Sequence, residues 1–226
     1  MVNELPPIVV VLLTYKRTEY ALKTIEAAAQ HLKYHNLQWY VADDGSEPEH
    51  FNAVRDALQS LDREPFASHS AKLGYGGSAN RAWDVSTEVT PLTFWLEDDW
   101  LLSKELDLTP FAKALMSYET VGMIRLGHLN QYMRGTCLAY GDRLYWRLDR
   151  EADDGASPVF TGHPSLRHIR YRSAYGSYPR GHNPGDTELY YAYNFRIAED
   201  GPDILWPAEA GQWGWFGHIG EVKSYE

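Results

Sequence analysis

Cysteine is almost missing from this chain: Cys137 stands alone among 226 residues, so no internal disulfide forms and a disulfide-stapled secreted scaffold is excluded. Long apolar runs are missing too. The longest aliphatic stretch, residues 8–13, is far shorter than the ~20 residues a membrane-spanning helix needs. Glu4 and the Pro6-Pro7 pair stand where a leader would carry basic residues, so no secretory signal is expected. Positive charge is also scarce, with 21 Lys plus Arg against 31 Asp plus Glu, and the net −10 argues against a general polyanion binder. These absences point to a soluble protein of a reducing compartment, the cytoplasm. What is present, 44% hydrophobic and 23% charged residues, is ordinary for a globular chain and excludes disordered, collagen-like and coiled-coil classes. The length suits one domain spanning residues 1–226.

Apolar patterning predicts an α/β fold. Residues 8–13 are β-branched and continuous, which reads as a strand buried on both faces. From Thr18, the apolar positions Leu22, Ile25, Ala29 and Leu32 recur at helical spacing, and residues 37–42 read as a second strand, completing a βαβ unit. Further helices are expected over 47–61, 79–85, 110–118 and 187–198, and further strands over 93–96 and 121–126. Residues 206–226, rich in Trp and Gly and without helical period, are expected to lie against the sheet face as a loop or lid.

Ligands in such sheets sit beyond the carboxyl ends of the strands. Three polar clusters fall there: Thr14 to Arg17, Asp43-Asp44-Gly45-Ser46, and Glu97-Asp98-Asp99. Adjacent carboxylates at a strand end repel, and a cation must offset that charge; hard oxygen ligands favour Mg²⁺ or Mn²⁺. Asp43 and Asp44 are turn and cap residues that can also accept hydrogen bonds from a base edge or ribose hydroxyls. Gly74-Tyr75-Gly76-Gly77 does not complete Gly-x-Gly-x-x-Gly, and no Gly-Lys-Ser/Thr occurs, so hydride transfer and P-loop chemistry lose support. Lys72, Arg17 and Arg81 are available to neutralise a diphosphate.

Taken in order, Val9 to Arg17, Asp43-Asp44-Gly45-Ser46, Gly74 to Asn80, Glu97-Asp98-Asp99 and Gly185-Asp186-Thr187-Glu188-Leu189 resemble the family 2 glycosyltransferases of GT-A fold. The resemblance implies a mixed sheet flanked by helices. Residues 1–102 would be the nucleotide-sugar-binding half, and residues 103–226 the acceptor-binding half with a C-terminal lid. It further implies a metal-dependent, inverting transferase that uses a nucleoside-diphosphate sugar. Thr14 and Asp44 would contact the nucleoside with Asp43 beside them, Asp98 the sugar or ribose, and Asp99 an Mn²⁺ or Mg²⁺ ion. Asp186 would be the general base, with Glu188 as a rival, and His218 a further metal or diphosphate ligand. Gly185 replaces the first acid of the family's Glu-Asp pair. The Gln-x-x-Arg-Trp signature of processive members is absent, so single transfer is expected. A non-catalytic nucleotide-sugar-binding module and a sugar nucleotidyltransferase are the alternative readings.

Two acceptor classes remain open in the sequence. A saccharide or small molecule would stack on Trp100, Trp213 or Trp215. The other class is DNA carrying hydroxymethylated bases, as in virus-type modification. Residues 155–185 contain no acid but hold Arg167, Arg170, Arg172 and Arg180 among Tyr171, Tyr175 and Tyr178, a composition suited to phosphates and stacked bases.

Overall fold

A computed structural model describes residues 4–69, 71–127, 134–150, 162–198, 200–211 and 214–220. The first apolar run forms β1 (Ile8–Thr14), and all seven of its residues are buried, as expected of a central strand without polar alternation. The chain continues through α1 (Thr18–His31), β2 (Leu32–Lys33), β3 (Leu37–Asp43), α2 (Pro48–Ser60), β4 (Phe66–His69), α3 (Tyr75–Val89) and β5 (Leu92–Glu97). Next come β6 (Trp100–Leu102), β7 (Leu106–Asp107), α4 (Thr109–Ser117), β8 (Val121–Arg125) and the hairpin of β9 (Gly135–Tyr140) and β10 (Arg143–Leu148). The last elements are β11 (Ser165–His168), α5 (Ile169–Tyr175), α6 (Pro184–Ile197), β12 (Asp203–Pro207) and β13 (Phe216–His218).

Among the described residues the main sheet has nine strands in the order β4-β3-β1-β5-β11-β8-β12-β10-β9. Strands β4, β3, β1 and β5 are parallel, and β11 runs antiparallel between β5 and β8. The result is a mixed sheet flanked by helices. Helix α3 packs on β1, β3 and β5 and meets α6, which brings late-chain residues towards those strands.

Several boundaries differ from the sequence expectation for identifiable reasons. Leu32 does not extend the stripe of α1 but opens β2, leaving Ala21, Thr24, Ile25 and Ala28 as the buried face of the helix. Helix α3 begins at Tyr75, so Gly76 and Gly77 lie in its first turn. A side chain at Gly76 would overlap the Pro179 carbonyl oxygen, and a Cβ at Gly77 would come within 2.7 Å of the Leu73 Cβ. These glycines permit close packing of backbone on backbone. The expected lid over 206–226 is partly sheet. Strand β12 lies between β8 and β10 with Trp206 buried, and β13 pairs with β6; their apolar runs are too short to declare a period.

His168 accepts a hydrogen bond from the Arg170 amide (3.1 Å) and so caps α5. Burial and the adjacent Arg170 charge push its pKa down to about 4 from 6.5. Between those values the unfolded chain binds the proton and the folded chain does not, so stability falls as pH drops from 6.5 towards 4. Melting temperature measured across that window should decline, and His168→Asn, which keeps a capping side chain, should flatten the decline. An unchanged slope in the variant would assign the acid sensitivity to other groups.

Candidate active site

The three polar clusters converge because β3, β1 and β5 are adjacent and end in register, with Thr14 opposite Asp43 and Leu13 opposite Glu97. Beyond these ends lies a cavity of about 310 Å³ whose lining includes Thr14, Arg17, Asp44, Lys72, Asp98 and Asp99, together with His182, Asn183, Pro184 and His218 from the late chain.

The turn after β3 divides its two carboxylates. Asp43, 1% exposed, accepts hydrogen bonds from the Ser46 amide (3.0 Å) and hydroxyl (2.5 Å), and it does not line the cavity. Asp44 does. Its Oδ1 accepts from the Leu73 amide and the Ser78 hydroxyl, both at 2.8 Å, tying the glycine-rich segment to the strand end. Lys16 adopts φ +63°, a left-handed conformation rare for a non-glycine residue, fixed by a hydrogen bond from its amide to Ser46 Oγ (2.8 Å). That turn aims Arg17 into the cavity.

The acidic turn after β5 is held from several sides. Thr24 of α1 donates to the Asp98 carbonyl (2.9 Å), and the Ile219 amide donates to the Asp99 carbonyl (2.9 Å). Asp98 accepts from the Thr14 hydroxyl (2.9 Å), the Tyr15 amide (3.3 Å) and Arg17. Burial pushes its pKa up to about 6, against the pull of Arg17. Asp99 Oδ2 meets Arg17 Nη1 at 2.7 Å and His218 Nε2 at 3.3 Å. Burial opposes its charge, but His218 and Arg17 together hold its carboxyl below the usual range. Asp99 Oδ1 is buried with no hydrogen-bond partner. An unsatisfied carboxylate oxygen beside an imidazole nitrogen is a donor set that fits Mn²⁺ or Mg²⁺, so the residues present suit the implied metal. Among the described residues, no group of three or more His, Cys, Asp or Glu side chains is placed to hold a metal; further ligands would have to come from substrate or water.

Sequence reasoning missed His50. It is buried on α2, with Nε2 2.9 Å from Thr14 Oγ1 and Nδ1 2.8 Å from Thr18 Oγ1. Thr14 spends its one proton on Asp98, so it accepts from His50, whose Nε2 is the donor of that pair. The chain of hydrogen bonds thus orients Thr14 and, through it, Asp98. Nothing in the sequence marks His50, whereas Asn183-Pro184-x-Asp186 is a legible helix start: the Asn183 side chain caps α6 by accepting from the Asp186 amide (2.9 Å).

The two expected bases part company. Asp186 is exposed at the head of α6, where its Oδ2 accepts from Asn183 Nδ2 (2.7 Å), two residues beyond Pro184 of the cavity wall. Glu188 turns inward. It accepts from the Gly162 amide, and burial raises its pKa against the pull of that bond and of Arg125 and Arg167. Glu97, bonded to the Tyr75 hydroxyl (2.8 Å), is pushed well above the carboxylate range by burial and by the charges of Asp99 and Glu188.

Other expected contacts are not assembled. Trp100 and Trp215 are 1% and 8% exposed, packed in the core instead of offering open faces for stacking, and Trp213 lies outside the described residues. Arg170 donates to the carbonyls of Leu115, Tyr118 and Val121, and Arg172 to that of Asn80 while pairing with Asp84 at 2.7 Å. Arg167 is buried over the Trp95 ring, as are Tyr171, Tyr175 and Tyr178 in the core, which leaves Arg180 as the exposed arginine of the expected stripe. Lys72 lines the cavity, 3.1 Å from the Tyr15 hydroxyl, whereas Arg81 is exposed on α3 and does not.

The fold is that of the GT-A glycosyltransferases. Solved structures similar to it include S. aureus TarS 1–349 in complex with UDP-GlcNAc, at TM-score 0.66 and 12% identity over 96% of this chain. Mannosyltransferase PcManGT from Pyrobaculum calidifontis, in complex with GDP-Man and Mn²⁺, is similar at TM-score 0.57 and 15% identity over 91%. GalNAc-T7 with UDP, GalNAc and Mn²⁺ is similar at TM-score 0.72 and 13% identity over 98%. The chain spans 61%, 55% and 45% of the lengths of those three chains. No protein-family model matches the sequence, and no curated protein does.

Proposed function

We propose that this chain is a metal-dependent glycosyltransferase that moves a sugar from a nucleoside-diphosphate sugar to an acceptor hydroxyl in a single inverting displacement. The observation that carries the reading is Asp99, whose Oδ1 is buried and unpartnered while its Oδ2 meets His218, in a cavity that also holds Asp44 and Arg17. The similar structures contain UDP, GDP-mannose or Mn²⁺, which supports the same ligand classes here.

Asp99 and His218 would hold Mn²⁺ or Mg²⁺, which when bound supplies positive charge to a departing diphosphate. Asp44 Oδ1 is already occupied by two donors, so its other oxygen is left to accept from a ligand. It can take an N–H from the base or a ribose hydroxyl. Thr14, oriented through His50, and Asp98 would contact ribose or sugar, and Arg17 and Lys72 would neutralise diphosphate charge. In the transfer, the acceptor oxygen bonds to the anomeric carbon and its proton passes to the Asp186 carboxylate. The bond to the diphosphate breaks, and its electron pair leaves with the nucleotide.

Thermal unfolding tests the donor reading. UDP or GDP with Mn²⁺, at ~100 times its dissociation constant, should add about 2.7 kcal/mol, a rise in Tm of roughly 5–10 °C. Nucleoside monophosphates, which lack the second phosphate, should add little, and EDTA should reverse the gain. Equal melting with and without every nucleotide would end the reading.

A further inference from the structure

Helix α6 starts at the cavity wall and runs outward with one face in solvent. His182, Asn183 and Pro184 line the cavity; Asp186, Leu189, Tyr190, Tyr193 and Ile197 follow at spacings of i, i+3, i+4, i+7 and i+11. That spacing puts them in one row, opposite the buried Thr187, Tyr191 and Phe195. Leu189, Tyr190, Tyr193 and Ile197 are 57%, 52%, 58% and 57% exposed, so more than half of each side chain meets water. At ~1.5 Å per residue the row extends about 16 Å from Asp186.

A contiguous apolar and aromatic row on a surface marks a binding site, and its make-up narrows the occupant. Two phenol rings offer apolar faces to the C–H faces of pyranose rings and hydroxyls to their edges. The row begins at a carboxylate, and within α6 itself Arg196 is the one Lys or Arg, in the last turn and away from Asp186, so a polyphosphate chain is repelled where it would have to enter. Its length exceeds what a single sugar covers. It is continuous with the cavity through Asn183, which bonds Asp186. Among the described residues, Trp100 and Trp215 are buried, whereas Tyr190 and Tyr193 stay exposed on the helix that starts at the cavity wall.

We propose that this row is the acceptor track. A neutral saccharide chain lies along α6 with its rings on Tyr190 and Tyr193 and its reacting hydroxyl at Asp186. The inference rests on the glycosyltransferase reading and names its acceptor class.

The probes are neutral malto-, cello-, xylo- and chito-oligosaccharides, from di- to hexasaccharide, with binding followed by saturation-transfer NMR. At least one series should bind the wild-type protein and tighten with each added sugar. Tyr190→Ala with Tyr193→Ala should weaken it about tenfold or more, and the paired Phe substitutions should restore it. Binding by no series, affinity independent of chain length, or equal affinity in the double Ala variant would overturn the track. Thermal stabilisation by nucleotide and Mn²⁺, run on the same samples, separates the two claims. Its loss in the wild-type protein removes the donor reading, whereas its presence alongside unaltered saccharide binding in the double variant removes the track alone.

Discussion

Asp99→Asn will abolish the response to Mn²⁺ and lower sugar transfer about a thousandfold or more. The substitution keeps side-chain volume and shape, so it tests charge and ligation without opening a cavity. In the wild-type protein Asp99 Oδ2 is shared by Arg17 and His218, while Oδ1 is buried and unsatisfied. A neutral amide is a poor metal ligand, and its NH₂ group would face the same two donors. Transition-state charge on the departing diphosphate would then lack compensation, and removing one such stabilising group from a closed site costs about 3–4 kcal/mol, near a thousandfold in rate. Manganese binding is read directly from the loss of the free-ion EPR signal on adding protein. Nucleotide-dependent stabilisation should vanish in parallel. An Asn variant that still takes up Mn²⁺ with wild-type affinity would remove Asp99 from the metal site.

Asp186→Asn will lose transfer by about a hundredfold to ten thousandfold while keeping donor stabilisation, whereas Glu188→Gln will stay within a few-fold of wild type. The two carboxylates are two residues apart but occupy opposite environments. Asp186 is in solvent at the head of α6, within reach of an incoming hydroxyl. Glu188 is committed to the Gly162 amide, a hydrogen bond that a glutamine carbonyl oxygen also accepts. A Cβ at Gly162 would lie 2.8 Å from Glu188 Oε1, so no space separates that carboxylate from the chain. Steady-state transfer rates and donor titrations of both variants decide the matter. The reverse ranking would move the base to Glu188 and require Gly162 to retreat.

Much of the cavity rim was legible in the sequence, because each polar cluster ends an uninterrupted apolar strand. Strand order in a parallel sheet then brings Thr14, Asp44 and Asp99 to one rim. The His218 contact was legible only by resemblance; the geometry behind it is the three-residue β13, too short to show a period. Where composition misled was residues 155–185. An acid-free run of arginines and tyrosines looks like a binding surface. Here Arg170 satisfies three orphan carbonyls around the end of α4 and the start of β8, and Tyr171, Tyr175 and Tyr178 fill core space. A guanidinium turned inward and one turned outward have the same signature along the chain. The exposed row on α6 escaped notice for the converse reason: apolar and aromatic residues on all sides of a helix leave no stripe that separates inside from outside.

One hydrogen-bonded ladder links β4 at one edge of the sheet to β9 at the other, crossing from the early strands to the late chain at the β5–β11 seam. Parting the early and late walls would mean tearing the sheet at its middle. By contrast, β13 is fastened to β6 through three residue pairs, with Ile219 and His218 tethered to Asp99 beyond them. The stretch of pocket wall that can detach without breaking the main sheet is therefore this three-pair strap.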